Sequence, residues 1–349
     1  MQGPKIILLE MVLVVLLLSS CTSASMHGVV AYDSFPKEIS LKADSVPTKK
    51  VYDNVFVALN EGKFIVSSFK ADTMMHFYSI PDLKYDYSLG VKGHGNNELQ
   101  SFPTFCRSMQ SELYVRGYTN HTIKKMSLVN NKLVEKKQFE LFLSDVPNDM
   151  YMMGDSLLYY NDLIHNEIKC YSIAQKDDCM SRSLQDLCGK VRNNEVLIGS
   201  LCMDDSIAAY AFQYRHEIVV LHSDDLAYDK TVCWDYENQD YLVGKRDKSP
   251  CLYYTDGYVT SCGFYFLCRN GRSYDRNVNY CIEVYDKKLI PVCKYVLDRK
   301  IFKFVIDAPR RSSRRRPMSS FAAGPSKTSK YALRTATTAF SCPARPTYL

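Results

Sequence analysis

The sequence predicts an all-β chain of repeated four-stranded units. Three observations carry that prediction: strand-type alternation with few helix-type amphipathic stretches, one set of similar segments at near-constant spacing, and a second set running in step with the first. Stretches such as KFIVSSF (Lys63–Phe69) and ELYVRGY (Glu112–Tyr118) alternate apolar and polar residues with the period of two that suits a half-buried strand. Tyrosine, at 26 residues, is abundant, and aromatic residues favour strands.

The first set comprises GKFIVSSF from Gly62, SELYVRGY from Ser111, DSLLYYND from Asp155, DSIAAYAF from Asp205 and CGFYFLCR from Cys262. Their third residues, Phe64, Leu113, Leu157, Ile207 and Phe264, are 49, 44, 50 and 57 residues apart. That is the period of a propeller blade. The second set comprises segments around Tyr78, Met126, Tyr171, Leu221 and Val284, which follow their partners by 14, 13, 14, 14 and 20 residues. Two strands at a constant offset form a hairpin, and the longer fifth offset comes from the insertion Asn270–Asn277. Each second-set strand ends in a polar turn (PDL, VNN, QKDD, SDD or YDKK) that returns the chain into a further strand. Segments such as Asn54–Leu59 and Asn148–Met153 supply the innermost strand of each unit, and Trp234 falls in the outer strand of the fourth. A sheet of this kind buries both faces only by stacking on neighbours around an axis. Five complete units and the start of another at Lys300–Asp307 give an expected six-bladed β-propeller over residues 49–307, with its last blade incomplete.

The amino terminus reads as an export signal. Lys5 precedes an apolar run, Ile6–Leu18, too short to span a roughly 30 Å hydrocarbon core but of the length of a signal-peptide h-region. The run ends in Leu18-Ser19-Ser20-Cys21, which resembles a bacterial lipobox. Residues 1–21 are therefore expected to be a lipoprotein signal with Cys21 as the lipid attachment site, and residues 22–48 a linker. The membrane is then a partner through the anchor. With no acidic residue just after Cys21, the outer membrane facing the periplasm is the expected location, with surface exposure as the alternative.

With the lipobox and the blade period, the chain resembles the TolB-like (NHL-like) six-bladed propeller lipoproteins of Gram-negative gut anaerobes. The resemblance covers Lys49–Asp307 and includes the stretch LGVKGHGNNELQSFP, where Gly93, Gly95, Glu98, Leu99 and Pro103 match a G-x-G-x-x-E motif followed by Leu and Pro. It implies a connection between blades. A phosphate loop requires a helix N-terminus directly behind the glycines, whereas here a proline and a strand follow. Gly93, Gly95 and Glu98 remain the candidates for a loop on a ligand-binding face.

Nothing in the sequence demands a cofactor or a metal. The 13 cysteines form no CxxC pair and the 7 histidines show no zinc-type spacing. Cys170 with Cys179, and Cys281 with Cys293, flank equivalent turns, so each pair is a candidate bridge in an oxidising envelope. The expected function is a lipid-anchored binding or scaffolding module with a protein or glycan partner. The alternative is a calcium-dependent lactonase or esterase-like hydrolase, in which Asp53, Asp155, Asp205 and Asp256 would converge on the axis. No nucleophile elbow or paired acid and base supports that enzyme.

The carboxyl-terminal 42 residues break the pattern. Ala, Pro, Arg, Ser and Thr make up 31 of them, with 9 Lys and Arg, no Asp or Glu and no Val or Ile. The body from Thr22 to Asp307 holds 34 basic and 37 acidic residues, so the chain's net charge of +6 belongs to the tail and no nucleic-acid partner is expected. Residues 308–349 are expected to be a disordered low-complexity tail, coded out of frame where the sixth unit should continue. The alternative is a genuine polycationic arm.

Overall fold

The computed structural model describes residues 28–47, 56–68, 73–93, 98–99, 101–108, 112–117, 121–143, 147–188, 197–234, 251–272, 278, 280–307, 319–323 and 331–335. Three strands come first: β1 (Val29–Tyr32), β2 (Glu38–Leu41) and β3 (Ala43–Pro47). The first antiparallel meander is β4 (Phe56–Asn60), β5 (Lys63–Ser67), β6 (Thr73–Ser79) and β7 (Lys84–Val91). The second is β8 (Pro103–Ser108), β9 (Leu113–Gly117), β10 (Thr122–Val129) and β11 (Lys132–Glu140). The third is β12 (Pro147–Met153), β13 (Leu157–Asp162), β14 (Glu167–Ser172) and β15 (Asp177–Ser183), followed by the one-turn helix α1 (Leu184–Leu187). The fourth is β16 (Gly199–Met203), β17 (Ile207–Phe212), β18 (Glu217–His222) and β19 (Tyr228–Trp234). The fifth is β20 (Cys251–Thr260), β21 (Gly263–Arg272), β22 (Tyr280–Tyr285) and β23 (Pro291–Leu297). The last sheet is β24 (Lys303–Asp307), β25 (Ser319–Ala323) and β26 (Tyr331–Thr335), completed by β3, which pairs antiparallel with β26.

The result is an all-β, propeller-like architecture. Each meander has its first strand innermost; β24 contacts β20 on one side and β4 on the other, so the series returns to its start. A short parallel pairing of β8 with β12 joins the second and third meanders into one eight-stranded sheet. The apolar clusters follow the same order, each lying between two neighbouring meanders. Tyr114 with Met152 packs the second against the third, Tyr159 with Leu201 the third against the fourth, and Ala209 with Phe264 the fourth against the fifth. Phe64 and Val66 with Val305 pack the first against the last. In β18 the alternation is complete: Val219 and Leu221 face the third meander, while Ile218 and Val220 face the fifth. Both faces of the sheet are thereby removed from water, as stacking around an axis requires.

Two expected regions come out differently. Residues 22–48 are no simple linker over their described part: β1 adds in parallel to the outer edge of β19, β2 adds in parallel to β23, and β3 enters the last sheet. These strands cover edges that would otherwise present unpaired backbone groups. Residues 308–349, expected to be disordered, supply β25 and β26. The backbone hydrogen-bonding demand of β24 and β3 is what those strands meet.

The repeat register needs two local corrections. Phe64, Leu113 and Phe264 are fully buried, but Leu157 and Ile207 are only half-buried. The paired positions are Phe64 with Tyr78, Leu113 with Met126, Leu158 with Tyr171, Ala208 with Leu221 and Phe264 with Tyr285. Leu158 and Ala208, one residue later than expected, face the preceding meander as Phe64 does. A slip of one residue turns a side chain to the opposite face. In the fifth meander Tyr285, not Val284, is the equivalent residue. A β-bulge between the third and fourth strands recurs in all five complete meanders, before Tyr78, Met126, Tyr171, Leu221 and Tyr285. The turns that follow place Leu83, Leu226 and Leu289 at positive φ. Each is almost wholly buried, so the burial of a leucine, worth about 1.5–3 kcal/mol, offsets the backbone strain.

Candidate functional site

The first strands converge on a cavity of about 170 Å³. Phe56 of β4, Arg107 of β8, Asn148 of β12, Ser200 of β16, Thr255 of β20 and Lys303 of β24 all line it, together with Arg116 of β9 and Asp149 of β12. An innermost strand directs alternate side chains at its two neighbours and leaves its backbone edge and strand ends at the axis, so residues of distant sequence meet there.

Charge organises this cavity. Asp256 of β20 is fully buried; Arg107 donates from Nη2 to its Oδ1 at 2.7 Å, Lys303 Nζ lies 2.9 Å from the same oxygen, and the Phe304 amide donates to Oδ2 at 3.1 Å. Burial alone would push this carboxyl up, but Lys303 and Arg107 outweigh burial and hold it below the usual carboxylate range. Arg107 Nη1 is buried and has no hydrogen-bond partner among the described residues. The acid on the wall itself, Asp149, accepts from the Leu201 amide at 3.1 Å through Oδ2. Arg107, Arg116 and Lys303 thus face one acid on the wall and one behind it, and one guanidinium nitrogen is left to engage a further acceptor.

The residues singled out in the sequence fall elsewhere. The glycine-rich stretch is the connection from β7 to β8. The Gly93 amide donates to the Leu99 carbonyl at 3.2 Å, and Leu99 returns an amide to Val91 at 3.0 Å. A Cβ added at Gly93 would sit 1.9 Å from Glu98 Oε2, so only glycine admits the carboxylate there. Neither Gly93 nor Glu98 lines the axial cavity. Gly95, like Cys21 and Asp53, lies outside the described residues. Asp155 and Asp205 sit in turns between first and second strands, and of the three described acids proposed to converge on the axis only Asp256 reaches the cavity's cations. There it meets an arginine and a lysine, an environment opposite to that of a calcium ligand. Sequence reasoning did not find Arg107, Arg116 or Lys303, because each sits in an ordinary strand pattern.

The cysteines also pair differently. All 11 described cysteines are free thiols. Cys179 donates to the Cys170 carbonyl at 3.2 Å, and burial pushes the Cys170 thiol up to about 12. Cys281 stands opposite Cys268, while Cys293 stands opposite Val284. Trp234 lies at the end of β19, as expected, stacked on Phe35 with ring centroids 4.3 Å apart.

No family model matches this chain, and no curated protein matches it. Solved structures do. A Bacteroides fragilis protein whose name marks it as exported is similar over 86% of this chain and 100% of its own, at 9% identity and a TM-score of 0.52. A member of the DUF4221 family from Bacteroides vulgatus is similar over 85% of this chain and 98% of its own, at 10% identity and a TM-score of 0.51. At such identities the likeness is one of fold.

Proposed function

We propose that this chain is an exported binding protein, anchored in the envelope through lipid on Cys21, whose meanders close into a six-bladed ring around a small site for an anionic group. The observation that carries the binding reading is the axial meeting of Arg107, Arg116 and Lys303, with Arg107 Nη1 lacking an acceptor among the described residues. A guanidinium presents paired donors that fit carboxylate and phosphate oxygens, and a cavity of about 170 Å³ suits a compact group rather than a folded domain. Titration with inorganic phosphate and with acetate tests it. Replacing Arg107 with Met is expected to weaken binding about 10- to 100-fold, the worth of one or two charge-assisted hydrogen bonds. Equal affinity in the variant, or no binding of either anion by the parent chain, would end the reading.

Two parts of this reading have tests of their own. Palmitate incorporation should disappear in Cys21→Ala; incorporation that survives removes the anchor. The reading also keeps a shift of frame after Asp307, where Ser- and Ala-rich β25 and β26 stand in place of Val- and Ile-bearing strands. Reading the gene in the other two frames should reveal a strand-patterned continuation on the scale of one blade, roughly 40–60 residues. Its absence would make the basic tail native.

A further inference from the structure

A second polar cluster lies away from the axis, between the fourth and fifth meanders. His216, in the turn before β18, approaches Glu283 of β22 with Nε2 3.1 Å from Oε1. Cys268 of β21 places its sulfur in the same group, where the three donor atoms all lie within 4.8 Å of one another. Cys281 stands opposite Cys268 across the β21–β22 pair. Cys268, Cys281 and Glu283 are buried, whereas the His216 side chain is 13% exposed and gives the cluster its contact with solvent.

The groups around these donors orient them. Glu283 turns Oε2 to the hydroxyls of Tyr254 at 2.8 Å and Tyr285 at 2.7 Å, which leaves Oε1 toward His216. Trp234 in turn donates from Nε1 to the Tyr285 hydroxyl at 2.9 Å. The His216 ring is stacked on Tyr253 at 5.0 Å and on Trp234 at 5.8 Å between centroids. Partners of this kind, holding the carboxylate and the imidazole in fixed orientation, are what a metal site places behind its ligands.

We propose that His216, Cys268 and Glu283 bind one zinc ion. An imidazole nitrogen, a sulfur and a carboxylate oxygen are three donors of the kind zinc takes, water from the solvent side at His216 completes a tetrahedron, and the thiolate disfavours magnesium and calcium. Binding exchanges one S–H bond for one zinc–sulfur bond and releases one proton to solvent. Zinc, one thiolate and one carboxylate sum to a net charge of zero, so the buried site needs no further counter-ion. Because the thiol must lose its proton, affinity rises with pH. The site is independent of the axial cavity, since none of these three residues lines it.

The test uses the full chain, reduced and stripped of metal, titrated with zinc against a chromophoric chelator and separately with cobalt(II). The expected result is one equivalent bound per chain, with a thiolate-to-cobalt charge-transfer band in the near ultraviolet. Cys268→Ser should abolish that band. Tyr254→Phe, which keeps every ligand and removes one orienting hydroxyl, should weaken zinc binding by about 10- to 100-fold. Arg107→Met should leave zinc affinity unchanged, which separates this site from the anion site. Circular dichroism of each variant, compared with the parent, establishes that it is folded. A cobalt complex without the charge-transfer band, zinc affinity unchanged in a folded Cys268→Ser, or a Cys268–Cys281 disulfide that forms in air despite saturating zinc would overturn the proposal.

Discussion

Asp256 and Glu283 belong to the same meander and are both fully buried, yet the chain keeps them ionised in different ways. Asp256, on the innermost strand, is surrounded by full charges from two other meanders, Arg107 and Lys303. Glu283, two strands further out, has two tyrosine hydroxyls and an imidazole. For Glu283 too, burial alone would push the carboxyl up, and His216 with the two hydroxyls holds it down instead. The difference teaches where this fold tolerates charge. At the axis, strands from several meanders meet and the cations keep 21% and 27% of their side-chain exposure. Between meanders the packing is tight, and one imidazole with two tyrosine hydroxyls does the same work.

The largest effect expected from this contrast is at Asp256. Asp256→Asn leaves two cations and the Phe304 amide without their carboxylate, and breaking a buried pair from one side costs about 3–5 kcal/mol. Urea unfolding measures it. The same variant frees Arg107 and Lys303, so the affinity of folded protein for inorganic phosphate should rise. A loss below about 1 kcal/mol, within the range of surface pairs, would remove the distinction between axis and periphery.

Glu283→Gln comes next, at about 1–3 kcal/mol, because the amide still offers an oxygen to one hydroxyl and only the charged acceptor is lost. Acid unfolding sharpens the comparison further. Both carboxyls titrate below their usual range in the folded protein, so each contributes stability that is complete above the unfolded value, near pH 4. That stability is lost as pH falls through the lower folded value. Each variant should therefore flatten the acid limb of the stability curve below about pH 4 and leave its neutral region parallel to the parent's. A variant whose acid limb keeps the parent's slope would show that its carboxyl does not supply the linkage.

How much of this was legible differs along the chain. The unit of two hairpins, the positions of Phe64, Leu113 and Phe264 and the place of Trp234 followed from alternation and spacing, because strand periodicity and turn residues are local. The one-residue offset at Leu158 and Ala208 did not, since LLYY and IAAY are apolar on both faces and a slip leaves the pattern unchanged. Asp256 was visible as an acid near the axis, but its partners were not, for Arg107 is 149 residues away and Lys303 is 47. The cluster of His216, Cys268 and Glu283 draws on three strands or turns in two meanders, so no zinc-type spacing marks it. Hydrogen bonding within the last sheet also decided the fate of the tail, whose composition gave no strand signal yet whose place beside β24 and β3 is filled by β25 and β26.

The smallest effect is expected at a third carboxylate, Asp155, which serves as the control for the other two. It lies 3.0 Å from Lys125 Nζ and 3.3 Å from Lys137 Nζ and accepts from the Tyr114 hydroxyl at 2.9 Å, with 35% of its side chain exposed. Burial again acts upward on this carboxyl and is outweighed by the hydrogen bonds from Lys125, Tyr114 and Lys137. Here, though, water screens every charge. Tyr114 also keeps a second acceptor in Glu112 at 2.6 Å, and Lys125 keeps an ion pair with the same residue. Asp155→Asn should accordingly cost less than about 1 kcal/mol despite removing as many named contacts as Asp256→Asn. Raising the salt to about 1 M, where the Debye length falls to roughly 3 Å, should erase most of that loss while leaving the Asp256 loss largely intact. Unfolding both variants at low and high salt makes the comparison direct. If the two losses shrink together, the axial charges are as well solvated as the surface ones, and burial would not be what separates them.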